Sequence, residues 1–201
     1  EESARLAALY RCQILDTPPE PEFDEIVRLT ALICGVPIAG ISFVDLDRQW
    51  FKACFGWQIE SLSRELALCG RALRQKEVSI VSDTLTDSQF ATHPLVCSQP
   101  YIRFYASVPL IVAERYAIGS LCAIDCTARE LDLQQIEALQ SLGRQVVKLL
   151  EQRSDRVSST PTGNRQHPSN KRFFTRMAVG LGLASATLVG VGAVSHHTLT
   201  S

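Results

Sequence analysis

Histidine is nearly missing from the part of this chain that reads as folded. Between residues 1 and 153 there is one, His93, although seven cysteines are scattered through the same stretch. A catalytic cysteine needs an imidazole close enough to activate it, and no glycine-rich elbow surrounds any Ser or Cys. Hydrolase or transferase activity is therefore not expected. There is also no CxxC pair. Zinc takes about four ligands, usually from close pairs. His93 and Cys97 are four apart near Asp83 and Asp87, but Pro94 argues against a regular helix through them. Cys122 and Cys126 share that spacing, yet strand alternation turns Cys122 inward, as for a buried thiol. No metal cofactor is expected.

Basic side chains are scarce too. Residues 1–153 hold 15 Lys and Arg against 20 Asp and Glu, whereas residues 154–201 hold 5 against 1. With no basic stripe and no interleaved aromatics, nucleic acid is not an expected partner. An odd number of dispersed cysteines, in a domain long enough to build its own core, points to a reducing compartment rather than a disulfide framework. The chain also opens without methionine or an apolar signal segment, so it reads as a trimmed fragment. It has no internal repeats.

What is present alternates between helix and strand signals. Residues 2–12 suggest a short amphipathic helix. In 21–34, Pro21 suits the first helical turn, Glu22, Asp24 and Glu25 suit the positive end of the helix dipole, and Gly35 suits a left-handed cap. Segments 38–45 and 48–56 read as a hairpin, 79–83 as a short strand, and 101–112 with 116–125 as a second hairpin. Pro109 implies an edge position or a bulge. Asp45 with Asp47, and Asp83 with Asp87, are at turn-forming spacings. From 132 to 153 the apolar stripe Ile136, Leu139, Gly143, Val146, Leu150 predicts a long helix. That stripe suits packing on the sheet or pairing with a second chain.

Residues 154–172 are rich in Ser, Thr, Pro and Asn and read as a polar linker. Met177 to Val194 carry no charge over 18 residues, the lower edge of what spans a hydrocarbon core of about 30 Å. Lys171, Arg172 and Arg176 precede the run and no Lys or Arg follows it. A membrane helix over 173–195 is expected, with 1–172 cytoplasmic at the inner or plasma membrane and 196–201 beginning an extracytoplasmic segment. Ala178, Gly182, Ala186 and Gly190 recur every fourth residue, a ridge that favours helix pairing.

The segment from Asp83 to Ser107 is about twenty residues of chain between strands, and loops of that length are usually functional. Its rings and guanidinium, Phe90, His93, Tyr101, Arg103, Phe104 and Tyr105, suit a mostly apolar cavity with a few polar contacts. Equally, the rings are plain core and Arg103 pairs with Asp83 or Asp87. Both readings stand.

Two stretches carry a family likeness. Residues 14–56, with "LDTPPE" and "DRQWFK", and residues 81–125, with "HPLV", "IRFYA" and "GSLCAID", resemble the GAF domain in the form common in bacterial sensor kinases and diguanylate cyclases. The resemblance covers roughly residues 4–153. It implies an α+β fold: a central antiparallel sheet of five to six strands, with the 21–34 and 132–153 helices on one side and a loop-covered cavity on the other. It also implies regulation rather than catalysis. The ligand contacts would come from Trp50, Cys69, Asp83 and Phe90, and from Arg103, Tyr105, Ser107 and Cys122. The ligand itself does not carry over. Bilin-binding relatives typically have a histidine beside the chromophore thiol, and no cysteine here adjoins one; Arg71 also stands two after Cys69 where the matching family segment usually has His. The asparagine–lysine–phenylalanine–aspartate–glutamate signature of cyclic-nucleotide binders is absent, as is the cysteine set of the methionine sulfoxide reductases.

The expectation is a cytoplasmic sensory module of a membrane-anchored, homodimeric signalling protein, with a histidine kinase or, second, a diguanylate cyclase beyond residue 201. A ligand-free dimerisation scaffold, and a thiol redox sensor using Cys69 or Cys122, are the alternatives.

Overall fold

A computed structural model describes residues 1–158 apart from Lys76, Ala113 and Glu114. The linker past Ser158, the 173–195 span with its Ala178, Gly182, Ala186 and Gly190 ridge, and residues 196–201 lie outside the described residues. Among the described residues, no helix is long and apolar enough to cross a membrane.

The elements in chain order are α1 (Glu2–Arg11), α2 (Pro21–Cys34), β1 (Ile38–Val44), β2 (Arg48–Phe55), β3 (Ser61–Ser63), a 3-10 turn (Arg64–Leu66) and α3 (Gly70–Gln75). Then come β4 (Ser79–Val81), α4 (Pro94–Cys97), β5 (Phe104–Ile111), β6 (Ala117–Asp125) and α5 (Leu133–Ser158). The six strands form one antiparallel sheet in the order β3-β2-β1-β6-β5-β4. β1 and β6, at its centre, are buried along their whole length, because both faces of the sheet are covered.

α2 begins and ends as its sequence directs. Pro21 opens it, and Gly35 closes it at φ +64, with the Gly35 and Val36 amides donating to Leu32 and Ala31 carbonyls. The Glu20 cap position makes no side-chain cap, because its carboxylate is engaged elsewhere. β1 and β2 turn at Asp45–Asp47, where Asp45 accepts from the Leu46 amide. The Leu85 and Gln89 amides likewise donate to Asp83 and Asp87, so these acids do form turns. Pro109 sits beyond the reach of β4, which pairs β5 only at Tyr105–Ser107, and a bulge follows at Leu110–Ile111.

One face of the sheet carries α1, α2 and α5 over a core of Ile41, Phe43, Trp50, Phe104, Leu110 and Leu121. Leu139, Leu142, Val146 and Leu150 of α5 are all within this core, so the apolar stripe packs on the sheet. α5 also runs five residues past Arg153, into the stretch read as linker.

A clasp ties this face together. β1 pairs Ile41 with Ala53 but Ser42 with Phe51, so Lys52 is the extra residue of a bulge that turns it toward the helices. Its side chain is fully buried, and its ammonium donates to Thr17 Oγ1 (2.8 Å), the Pro18 carbonyl (2.5 Å) and Glu20 Oε1 (2.7 Å), with the Phe23 ring 5.4 Å away. Arg153 of α5 donates to the same Glu20 oxygen (2.7 Å) and to the Gln13 carbonyl (3.2 Å). The "LDTPPE" and "DRQWFK" segments thus meet on α5.

Candidate functional site

The other face of the sheet has a different chemistry. Cross-strand register puts Ser42, Val44, Gln49, Phe51, Tyr105, Ser107, Ser120 and Cys122 on it. The short helices lie here: α3 packs against β5 and β6. A second apolar cluster joins Val81, Tyr105, Cys122 and Ile124 of the strands to Leu68, Phe90, Leu95, Val96 and Ile102 of the covering segments. The 83–103 segment is fastened at both ends. Thr84 donates its amide to the Arg103 carbonyl (2.7 Å) and its hydroxyl to that of Ile102 (2.6 Å), while the Arg103 amide donates to Asp125 (2.8 Å).

Beneath this cover is a floor of buried hydroxyls with no protein partner. Tyr105 OH, Ser107 Oγ and Ser120 Oγ are in residues 0–1% exposed, and none has a hydrogen-bond partner of good geometry; what polar contact they have is with one another and with the Cys69 thiol. They nonetheless converge. Both serine hydroxyls lie near enough to the Tyr105 phenol to act on its titration, and Ser120 acts likewise on the Cys69 thiol. Further along, Gln49 donates to Ser42 Oγ (2.7 Å) while its own carbonyl oxygen is unpaired. Burial of an unpaired polar group costs about 1–3 kcal/mol, so several on one face call for an explanation.

The thiols of this face are inert in character. Burial pushes Cys69 up to about 12 and raises Cys122 further, and Cys122 Sγ donates to the Gly40 carbonyl at 3.3 Å. Burial likewise drives the Tyr105 phenol well above its usual range. A thiolate, the reactive form, is disfavoured at both cysteines.

At one end of the floor is a cavity of about 640 Å³, lined by Val44 and Ala117 of the sheet, Gly70, Leu73 and Arg74 of α3, and Arg5, Arg64 and Glu2 at the rim. Val44, in the cavity wall, pairs with Gln49 and sits two residues from Ser42. Arg5 donates to the Val44 carbonyl (2.6 Å) and, with Arg64, to Glu2. The hydrogen bond from Arg5, with help from Arg64, holds the Glu2 carboxyl down to about 2.

Five of the residues expected from the sequence meet here: Tyr105, Ser107 and Cys122 on the floor, Cys69 above it, and Phe90, whose ring is 5.9 Å from Tyr105. Trp50 does not. It lies on the helix face, stacked on Phe43 at 6.5 Å, because it pairs directly with Phe43 across β1–β2 and so shares its side of the sheet. Asp83 and Arg103 are spent on each other in a two-bond pair (2.9 and 2.7 Å). That bond keeps the Asp83 carboxyl below its usual range. Ser42, Gln49 and Ser120 were not foreseen. Their signal is present: Ser42, Ser107 and Ser120 are each the lone serine in one of the three apolar strands β1, β5 and β6. Among the described residues no cluster of three His, Cys, Asp or Glu side chains is placed to hold a metal.

A six-stranded antiparallel sheet with long helices on one face and short helices covering a polar face on the other is an α+β domain of the GAF type. The GAF domain family profile matches residues 18–150, and the chain belongs to that family. It is 35% identical over 167 residues to a cyclic di-GMP phosphodiesterase of Pseudomonas aeruginosa, covering 81% of this chain but 28% of that protein. Among solved structures, it is similar to the GAF domain of an Acinetobacter phosphoenolpyruvate-protein phosphotransferase (17% identity, TM-score 0.57, 82% of this chain and 98% of that one). It is also similar to free methionine-R-sulfoxide reductase from Neisseria meningitidis in complex with its substrate (18%, 0.55, 73% and 87%). At those identities the likeness is one of fold.

Proposed function

We propose that this chain is a small-ligand-sensing module that regulates a signalling enzyme. The observation that carries the reading is the trio of converging, unpartnered hydroxyls at Tyr105, Ser107 and Ser120 beneath the α3 cover. A bound molecule that completes their hydrogen bonds would draw α3 and the 83–103 segment onto the sheet. The chain spans 28% of its Pseudomonas relative, whose name supports cyclic di-GMP turnover as the output. The histidine kinase output expected from the sequence has only the family's habits behind it.

Membrane anchoring through 173–195, with 1–172 on the cytoplasmic side, belongs to the same proposal and rests on the uncharged run and its flanking charges. Pairing through the Ala178–Gly190 ridge rests on spacing alone. Extraction of host membranes with alkaline carbonate tests the anchor: retention in the pellet supports it and release refutes it. For the sensor, native mass spectrometry of the full chain in detergent should show an adduct of defined mass that is lost on denaturation. If no adduct and no stabilising compound is found, the scaffold reading replaces the sensor.

A further inference from the structure

We infer that the floor takes the uncharged hydrogen-bonding end of a small molecule, such as an amide, an imide or a hydroxyl group, and not a phosphate or carboxylate. This rests on the reading of that face as a ligand floor. The strands supply it with three hydroxyls, one unpaired amide oxygen, thiols and apolar groups. Each charged side chain on the six strands is committed elsewhere. Arg48 pairs with Asp16 and Asp45, Lys52 is bound to Glu20 on the opposite face, and Asp125 is held by Arg129. Arg5 and Arg64, which share Glu2, and Arg74 of α3 line the cavity at the Val44 end, and none of the three belongs to the strands that carry the hydroxyls.

An anion pressed against the strands at Tyr105, Ser107 and Ser120 would be stripped of water with no counter-charge on the strands themselves, which is far costlier than burying a neutral polar group that finds partners. A neutral donor–acceptor group meets the floor on matching terms. Hydroxyls donate and accept, and Gln49 Oε1 accepts only. The space is limited: the Phe51 ring and Cys122 Sγ would lie 3.3 and 3.5 Å from a Cβ at Gly40, and the Phe90 ring packs tilted against Tyr105 at the other end. A flat ring or a short chain fits this floor better than a bulky one.

The test uses matched pairs that differ in charge: uracil against orotate, acetamide against acetate, glycerol against glycerol phosphate. Each is titrated into the full chain in detergent while the melting temperature is followed. The same titrations are run on Ser107→Ala, Ser120→Ala and Tyr105→Phe. The expected result is stabilisation by a neutral member, absent for its anionic twin, and weakened about two- to tenfold for each hydroxyl removed. Stabilisation by an anionic member that is lost in these variants, or a native adduct bearing phosphate or carboxylate, overturns the inference and leaves the sensor reading standing. Stabilisation that survives all three variants puts the binding elsewhere and also overturns it. No response to any probe, together with no adduct, removes both readings.

Discussion

The two faces of the sheet are cut from the same strands, residue by alternate residue, and they differ in what their polar groups are doing. On the helix face almost every polar atom that is buried is used. Lys52 has three acceptors, Glu20 joins it to Arg153, and the rest is close-packed Phe, Ile, Leu and Trp. On the covered face, three hydroxyls and an amide oxygen are buried without protein partners. A protein gains nothing in stability from that arrangement. The contrast therefore separates a face shaped for folding from one shaped to meet something else, and the predictions below measure the gap.

The largest effect is expected on the helix face. Phe43 is fully buried, stacks on Trp50 and faces Gly119 across the β1–β6 pair. Phe43→Ala should cost about 3–5 kcal/mol, seen as a lower urea midpoint at unchanged slope. A loss below about 1 kcal/mol would mean that this core repacks freely.

The clasp comes next. In Glu20→Gln the buried Lys52 ammonium keeps Thr17 and Pro18 but loses its counter-charge, for a loss of about 1–3 kcal/mol. The pH dependence follows. Burial works to raise the Glu20 carboxyl, but Lys52 and Arg153 outweigh it, and the native carboxyl titrates below its ordinary 4.5. A depressed native value means that its stabilisation is present at neutral pH. It is lost as pH falls from about 4.5 through the native value. The difference in urea midpoint between the parent and Glu20→Gln should therefore shrink between neutral pH and that acid range. A constant difference would show that the carboxylate's charge is not what the clasp uses.

Thiol accessibility sharpens the contrast. In the folded chain, alkylating reagents should label Cys97 and Cys126, which are exposed, and spare Cys69 and Cys122 until the chain unfolds. Rapid labelling of Cys69 in the native state would revive the redox alternative.

Much of this was legible in the sequence. Pro21, Gly35, the strand alternations and the α5 stripe fixed the long elements to within a few residues, since each is a local signal. The site was half legible. Tyr105, Ser107, Cys122, Cys69 and Phe90 came from strands and loops whose order was recognisable. Trp50 was grouped with the ligand contacts, but its cross-strand pairing with Phe43 puts it on the helix face, and which face of a hairpin meets the long helices is set by the tertiary fold and not by local pattern. Arg103 was read both ways, and its partner is twenty positions back, a distance no periodicity bridges. Ser42 and Ser120 were overlooked because a single serine in an apolar strand usually means little. Only the register shows that three such serines lie on one face.

The smallest effect is the most telling. Ser107→Ala and Ser120→Ala remove buried hydroxyls that have no protein partner, so in ligand-free protein each should change stability by less than about 1 kcal/mol, with a gain as acceptable as a loss. A serine of the helix-face kind, with its bonds made, would lose more. If either substitution costs about 2 kcal/mol or more in the purified, adduct-free chain, the hydroxyl is already satisfied within the fold. The two faces would then be built on the same principle. If both are neutral, while ligand-dependent stabilisation disappears with them, the unpaired hydroxyls are kept for binding.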